Sequence, residues 1–272
     1  MDVPGVGLRD QRIEFDVTAA EAREASRTQR GRFVQMVRGL SDEQLRGPSR
    51  CSEWSVQDVA RHVTQMSDLM QRAIVAARSG EKFAPFKEFN PKVTPNELVR
   101  ASDGESAETT IAEFDRTTRS LARALDELDD DDSLLLVSPA GRQPWPRSIL
   151  HALFDSAVHE RDVAEPVGVS VAADEAETGA IAAYQVLLAS RIACAFGMSY
   201  AAELVLTGAP VLTVRVEGAD VSVTRTSGTG APVCGGDAVP VLDAMTNRGN
   251  LSSVLSAPPE VTTALSTLST LV

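Results

Sequence analysis

Apolar residues recur at helical spacing in long runs through the first 165 positions. Val59, Val63, Met66, Met70 and Ile74 step by three or four and draw one apolar stripe along a helix. Ile111, Phe114, Leu121, Leu125 and Leu128 do the same between Thr109 and Leu128. An amphipathic run to about Leu40 follows Thr18-Ala-Ala-Glu21, which has the Thr-x-x-Glu form of a capping box. Ser41-Asp-Glu-Gln44 fits the same box for a short helical turn. Ser55-Val-Gln-Asp58 resembles it, with Asp in place of the usual Glu or Gln. Gly47 and Pro48 break the chain between the two. Gly80 to Glu105 holds Pro85, Pro91, Pro95 and Gly104 with little periodicity, and reads as a loop long enough to shape a pocket. The acidic run Asp129 to Asp132 reads as a solvated helix end, since calcium binding needs interspersed ligands and a turning glycine. Pro139 to Pro146 reads as another loop, after which Ser148 is expected to cap a helix from Ile149 to about Val163.

The pattern changes after Pro166. Asp174 to Phe196 predicts an Ala-rich helix. Glu203 to Thr207, Leu212 to Glu217 and Val221 to Thr226 alternate apolar and polar positions. The last two are joined by Glu217-Gly-Ala-Asp220 as a hairpin. Ser227 to Gly236 is rich in Gly, Ser and Thr and reads as a loop. A helix capped by Asp237 is expected from Ala238 to about Asn247, and a last one from Pro258 to Val272. Helices first and a small mixed segment second predict an α+β, mainly α chain of two domains, residues 1–168 and 169–272.

Composition narrows the function. In 272 residues the net charge is −12, which argues against a nucleic-acid backbone as partner. No apolar stretch is read as approaching the roughly 20 residues that span a bilayer, so no membrane partner is expected. The first residues lack the apolar region of a secretory signal, and a cytoplasmic location is the default expectation. Cys51, Cys194 and Cys234 are odd in number and far apart, so no disulfide framework is expected. Cys51 reads as a small buried hydrophobe, because nothing near it in sequence supplies an activating base.

His62, Asp155 and His159 are the chemistry-bearing candidates. On one helix Asp155 and His159 are an i,i+4 pair, about 6 Å apart on one face. Together with His62 from another helix they make three nitrogen and oxygen ligands, and catalytic metal sites commonly keep three ligands and an open position. His151 extends the same stripe, roughly 12 Å along the axis from His159, too far for both to join Asp155 around one ion. From the helix alone, His151/Asp155 and Asp155/His159 are equally good pairs. Any of the three histidines also fits a satisfied core or surface residue.

The runs CSEWSVQDVARHV and FDSAVHERDVAEPVG together resemble the mycothiol-dependent maleylpyruvate isomerase family, over about residues 20 to 250. The resemblance implies a DinB-like metal-binding four-helix bundle followed by a small α/β domain similar to sterol-carrier folds. It implies His62, Asp155 and His159 as metal ligands, with Asp155 standing where such proteins usually have Glu. Asp162, one turn on, would orient a ligand. Arg248 matches a basic residue that lies near the active site and would hold substrate carboxylates, with Arg215 and Arg225 as rivals. Trp54 reads as an anchor of the bundle core.

The chemistry implied is zinc, or another divalent metal, with mycothiol as thiol cosubstrate. The thiolate adds to an activated alkene of a small electrophile, the new single bond rotates, and the thiolate leaves. Alternatives are a mycothiol S-transferase or thiol-exchange enzyme in detoxification or natural-product biosynthesis, and a non-catalytic metal-binding protein.

Overall fold

The structure is a computed structural model that describes residues 8, 11–86, 89–91, 93–130, 133–138 and 141–270. In chain order, strand β1 (Arg12–Phe15) precedes helices α1 (Ala19–Arg38), α2 (Asp42–Arg46), α3 (Val56–Ser79), α4 (Thr94–Ala101) and α5 (Ala107–Asp126). Strands β2 (Leu135–Ser138) and β3 (Gly141–Pro144) lead into α6 (Trp145–Ala164). Then come α7 (Glu175–Ala195), β4 (Tyr200–Thr207), β5 (Leu212–Glu217), β6 (Asp220–Thr224) and β7 (Val233–Asp237). The chain ends with α8 (Ala238–Met245), α9 (Leu251–Val254), β8 (Leu255–Ser256), α10 (Pro259–Ser266) and a 3-10 turn, Thr267–Thr270.

Residues 19–173 form one compact unit, and residues 1–18 with 174–272 form the other. In the helical unit, α1 and α3 each pack on both α5 and α6, which makes a four-helix bundle. The apolar stripes meet in two clusters. One gathers Phe33, Val59, Val63, Phe114 and Val163, the other Met70, Ile74, Leu121, Leu125 and Ile149. Phe33 and Phe114 meet edge to face at 5.2 Å, a favoured aromatic geometry.

The sheet unit has six strands in the order β1-β6-β5-β4-β7-β8. β1 runs parallel to β6 and β4 parallel to β7, while β4–β5, β5–β6 and β7–β8 are antiparallel. Helix α7 lies against β5 and β6.

Five expectations change. The segment 80–105 contains α4, opened by Pro95 in its first turn and anchored by buried Val99. β2 and β3 pair as a hairpin where a loop was expected; Pro139 and Ala140 lie outside the described residues, as do Asp131 and Asp132 of the acidic run. α6 starts at Trp145 with Pro146 in its first turn, so Ser148 sits buried inside the helix and does not cap it. β7 runs through the Gly-rich stretch. A Cβ at Gly236 would lie 2.5 Å from the Val254 carbonyl and 2.9 Å from Val241, so close packing requires that glycine. Finally, β1 belongs to the sheet, so residues 1–18 do not share a unit with the bundle.

Three smaller points follow. α7 has the length and apolarity to cross a membrane, contrary to the reading from composition, but 89% of its most apolar window is buried as the core helix of the sheet unit. Asp237 precedes α8, but its side chain makes no cap bond. The expected last helix ends at Ser266 and passes into the 3-10 turn, while Leu271 and Val272 lie outside the described residues.

Candidate metal centre

The loop before α3 is braced locally. The Ser49 hydroxyl donates to the Trp54 carbonyl at 2.8 Å and accepts the Cys51 N–H at 3.0 Å. The helix then starts on a full capping box. Ser55 Oγ accepts the Asp58 N–H at 3.2 Å, and Asp58 returns a carboxylate oxygen to the Ser55 N–H at 3.0 Å. Aspartate therefore works at the third helical position, as expected. At the far end Gly80 adopts φ 70°, the left-handed cap conformation that glycine enters without strain. Two turns inside the cap, His62 points inward and is 4% exposed.

α6 brings the other two side chains to meet it. His62 Nε2 lies 3.3 Å from Asp155 Oδ2, and His159 Nε2 lies 3.7 Å from Asp155 Oδ1. The imidazole rings are 4.9 Å apart and nearly perpendicular. Ligand atoms of all three lie within 4.8 Å of one another. His151 is not in this group. Its ring stands 6.0 Å from Phe154, and of the two helix pairs left open by spacing, Asp155 with His159 is the one grouped with His62.

Behind His159 runs a second line of contacts. His159 Nδ1 is 3.1 Å from Asp162 Oδ2, and Asp162 is fully buried. Asp162 Oδ1 accepts from Arg50 Nε at 3.1 Å, and its Oδ2 accepts from the Cys51 thiol, also at 3.1 Å. The Cys51 sulfur stands 3.7 Å from His159 Nδ1. Cys51 thus has an imidazole and a carboxylate beside it, where none was expected. The residues are 108 and 111 positions apart, so no local signal pointed to them.

Trp54 covers the site and does more than anchor the core. Its ring centroid is 5.0 Å from that of His62 and 5.7 Å from that of His159. Its indole N–H donates to Asn96 Oδ1 of α4 at 2.7 Å.

The charges are strongly coupled. Burial opposes ionisation of Asp155, but the charge and hydrogen bond of His62, with His159 and His151, hold its carboxyl well below the usual range. Burial also opposes the His159 imidazolium. Hydrogen bonds to Asp162 and Cys51 and the charge of Asp155 outweigh it and push His159 up to about 10.

These residues fit a divalent cation. Two Nε2 atoms and a carboxylate converge from two helices, and the carboxylate is ionised. Asp162 holds Nδ1 of His159, the carboxylate–histidine arrangement that orients a ligand and raises its basicity. His62 lacks that support: among the described residues its buried Nδ1 has no hydrogen-bond partner, and Trp54 packs against its ring.

Arg248 lies in the sheet unit, just after α8. Asn247 takes φ 64°, a left-handed turn that Asn tolerates, and the Arg248 N–H returns to the Asp243 carbonyl at 2.9 Å. Its guanidinium donates to the Thr246 carbonyl at 2.7 Å. Arg215 lies on the exposed side of β5, and Arg225 follows β6 and donates to the Asp16 carbonyl at 2.7 Å.

Comparison with known proteins agrees with the fold. The crystal structure of the mycothiol-dependent maleylpyruvate isomerase is similar at 14% identity with a TM-score of 0.63, over 89% of this chain and 93% of that one. A histidine-to-alanine mutant of that isomerase is similar to the same extent at 13% identity. The colibactin self-resistance protein ClbS, solved in complex with a dsDNA, covers 57% of this chain at 11% identity and a TM-score of 0.47. No curated protein sequence matches the chain. The family model described as the mycothiol maleylpyruvate isomerase N-terminal domain matches residues 26–164, which hold every side chain of the candidate centre, and the chain belongs to that family.

Proposed function

We propose that the protein is a divalent-metal-dependent enzyme that uses mycothiol to attack a small electrophile, in the manner of maleylpyruvate isomerisation. The observation that carries this reading is the convergence of His62 Nε2, the Asp155 carboxylate and His159 Nε2 at 3.3 and 3.7 Å. A bound ion, zinc being the expected one, would supply the positive charge that keeps a thiol ionised near neutral pH. The chain's own residues prepare the place. Asp162 holds a proton on His159 Nδ1, so that Nε2 would present its lone pair beside Asp155 once a bound ion has displaced the second proton. Trp54 covers both imidazoles and limits water access. Arg248 is the proposed partner of a substrate carboxylate, a task suited to a planar, permanently charged guanidinium.

Metal analysis of purified protein, with His62→Ala as comparison, tests the first half. About one equivalent is expected in the wild type and much less in the variant. Equal contents would sink the metal reading. Turnover tests the second half. Mycothiol-dependent conversion of maleylpyruvate without loss of thiol supports isomerisation, whereas a stable thioether with a haloarene would make the protein an S-transferase. Full metal occupancy with neither activity would leave a binding protein. Arg248→Ala should raise KM for a carboxylate substrate and leave metal content unchanged.

A further inference from the structure

Arg30 of α1 is only 2% exposed, and among the described residues no carboxylate is within ion-pair distance of its guanidinium, although the charge of Asp155 acts on it. Its Nη1 donates to Ser67 Oγ at 2.6 Å and its Nη2 to the Ala152 carbonyl at 3.1 Å, both neutral acceptors. Among the described residues its Nε has no hydrogen-bond partner. A buried charge is costly unless paired and fully hydrogen-bonded, so an unmatched donor here calls for an acceptor.

A cavity of about 180 Å³ between α1 and α5 lies beside it, lined by Arg30, Gly31, Thr118 and Leu121. The Thr118 hydroxyl is a second buried polar atom without a hydrogen-bond partner among the described residues. Gly31 leaves the space open, since a Cβ there would meet nothing within 4 Å. Arg27 and Arg119 also line the cavity, and both are largely exposed and ion-paired, to Asp126 and Asp115. Those pairs leave little net charge at the entrance, so any preference for an anion rests on Arg30 and Thr118 inside.

We propose that this cavity binds a small organic carboxylate. One end of the ligand accepts from Arg30 Nε and Thr118 Oγ1, and a short apolar body lies against Leu121 and the gap at Gly31. Two donors and aliphatic walls suit a monoanion with a hydrocarbon part. A phosphate or sulfate would leave most of its oxygens unsatisfied. Water alone would satisfy the two donors but not use the aliphatic remainder of the space. The cavity lies between α1 and α5, whereas the candidate metal ligands sit on α3 and α6, although the charge of Asp155 reaches the Arg30 guanidinium.

Replacing Arg30 would also remove its bonds to α3 and α6, so the test uses the cavity walls instead. Benzoate is titrated into the full chain after chelator treatment, with benzamide as the neutral counterpart, and heat and backbone amide shifts are followed. Saturable one-to-one binding of benzoate and none of benzamide is expected. Gly31→Leu, which fills the gap at a helix-interior position, should weaken binding at least about tenfold, and Thr118→Val several-fold. His62→Ala should bind as the wild type does. No saturable binding in the wild type, or undiminished binding in Gly31→Leu, overturns the proposal. Should Gly31→Leu fail to fold, undiminished binding in Thr118→Val has the same force. Loss of binding in His62→Ala with retention in Gly31→Leu would place benzoate at the metal ligands and equally overturn it.

Discussion

Asp162 is the residue on which the chemistry of the centre turns. It accepts from His159 Nδ1, from the Cys51 thiol and from Arg50, and it is fully buried, so all three contacts act without competition from solvent. In the metal-free protein burial opposes the imidazolium, but the hydrogen bonds of Asp162 and Cys51 and the charge of Asp155 outweigh it and raise His159 to about 10, above the ordinary value of 6.5. A raised folded value stabilises the protein fully below about pH 6.5. That contribution is lost as pH climbs from there toward 10. Metal binding requires a neutral imidazole, so binding at about pH 8 must expel the His159 proton. Titrations in buffers of different ionisation enthalpy should show roughly one proton released per ion. Asp162→Asn keeps the shape and removes the charge. It should lower metal affinity about 10- to 100-fold and bring the released proton count below one. An unchanged proton count would reduce Asp162 to a packing role. The spacing of Asp155 and His159 was legible in the sequence because one helix fixes it. The link to Arg50 and Cys51 was not, because it depends on a loop returning from more than a hundred positions away.

At the scale of elements, local chemistry was readable where the signal is backbone hydrogen bonding. The boxes at Ser41–Gln44 and Ser55–Asp58 both form as their residues dictate. Elements whose sequence imitates a loop were missed. α4 hides behind prolines, β7 behind paired glycines, and the β2–β3 hairpin behind Pro144, which sits at the end of its strand. In each, tertiary packing overrides local propensity: buried Val99 holds α4, and the Val254 backbone presses on Gly236. The cap at Ser55 also bears on function, since it fixes the start of the helix that carries His62. Ser55→Ala removes one acceptor and should cost about 1 kcal/mol in denaturant unfolding. Metal content should stay near one equivalent, because His62 lies two turns inside the helix and packs against the Trp54 ring. A large loss of metal would mean that the cap, and not the core, sets the position of His62.

For the whole molecule, periodicity foretold a helical part followed by a sheet part, and the chain is built that way. It did not foretell that the chain begins in the sheet. The four residues Arg12 to Phe15 do alternate polar and apolar, but a run that short is weak by itself, and it becomes a strand by pairing parallel with β6. The Arg12 N–H donates to the Ala219 carbonyl at 2.9 Å, the Arg12 side chain pairs with Asp220, and Gln11 donates to the Arg191 carbonyl of α7 at 2.8 Å. Both tryptophans, Trp54 and Trp145, lie in the helical unit, and both tyrosines, Tyr184 and Tyr200, in the sheet unit. The two chromophores therefore follow the two units separately. Deleting residues 1–16 removes a ladder of a few hydrogen bonds, each contributing about 1 kcal/mol net, and exposes the edge of β6. The tyrosine-detected transition should move to lower denaturant by on the order of 2 kcal/mol, while the tryptophan-detected transition and the metal content stay where they are. If both transitions shift together, the units unfold as one cooperative body, and β1 stabilises the bundle as much as the sheet.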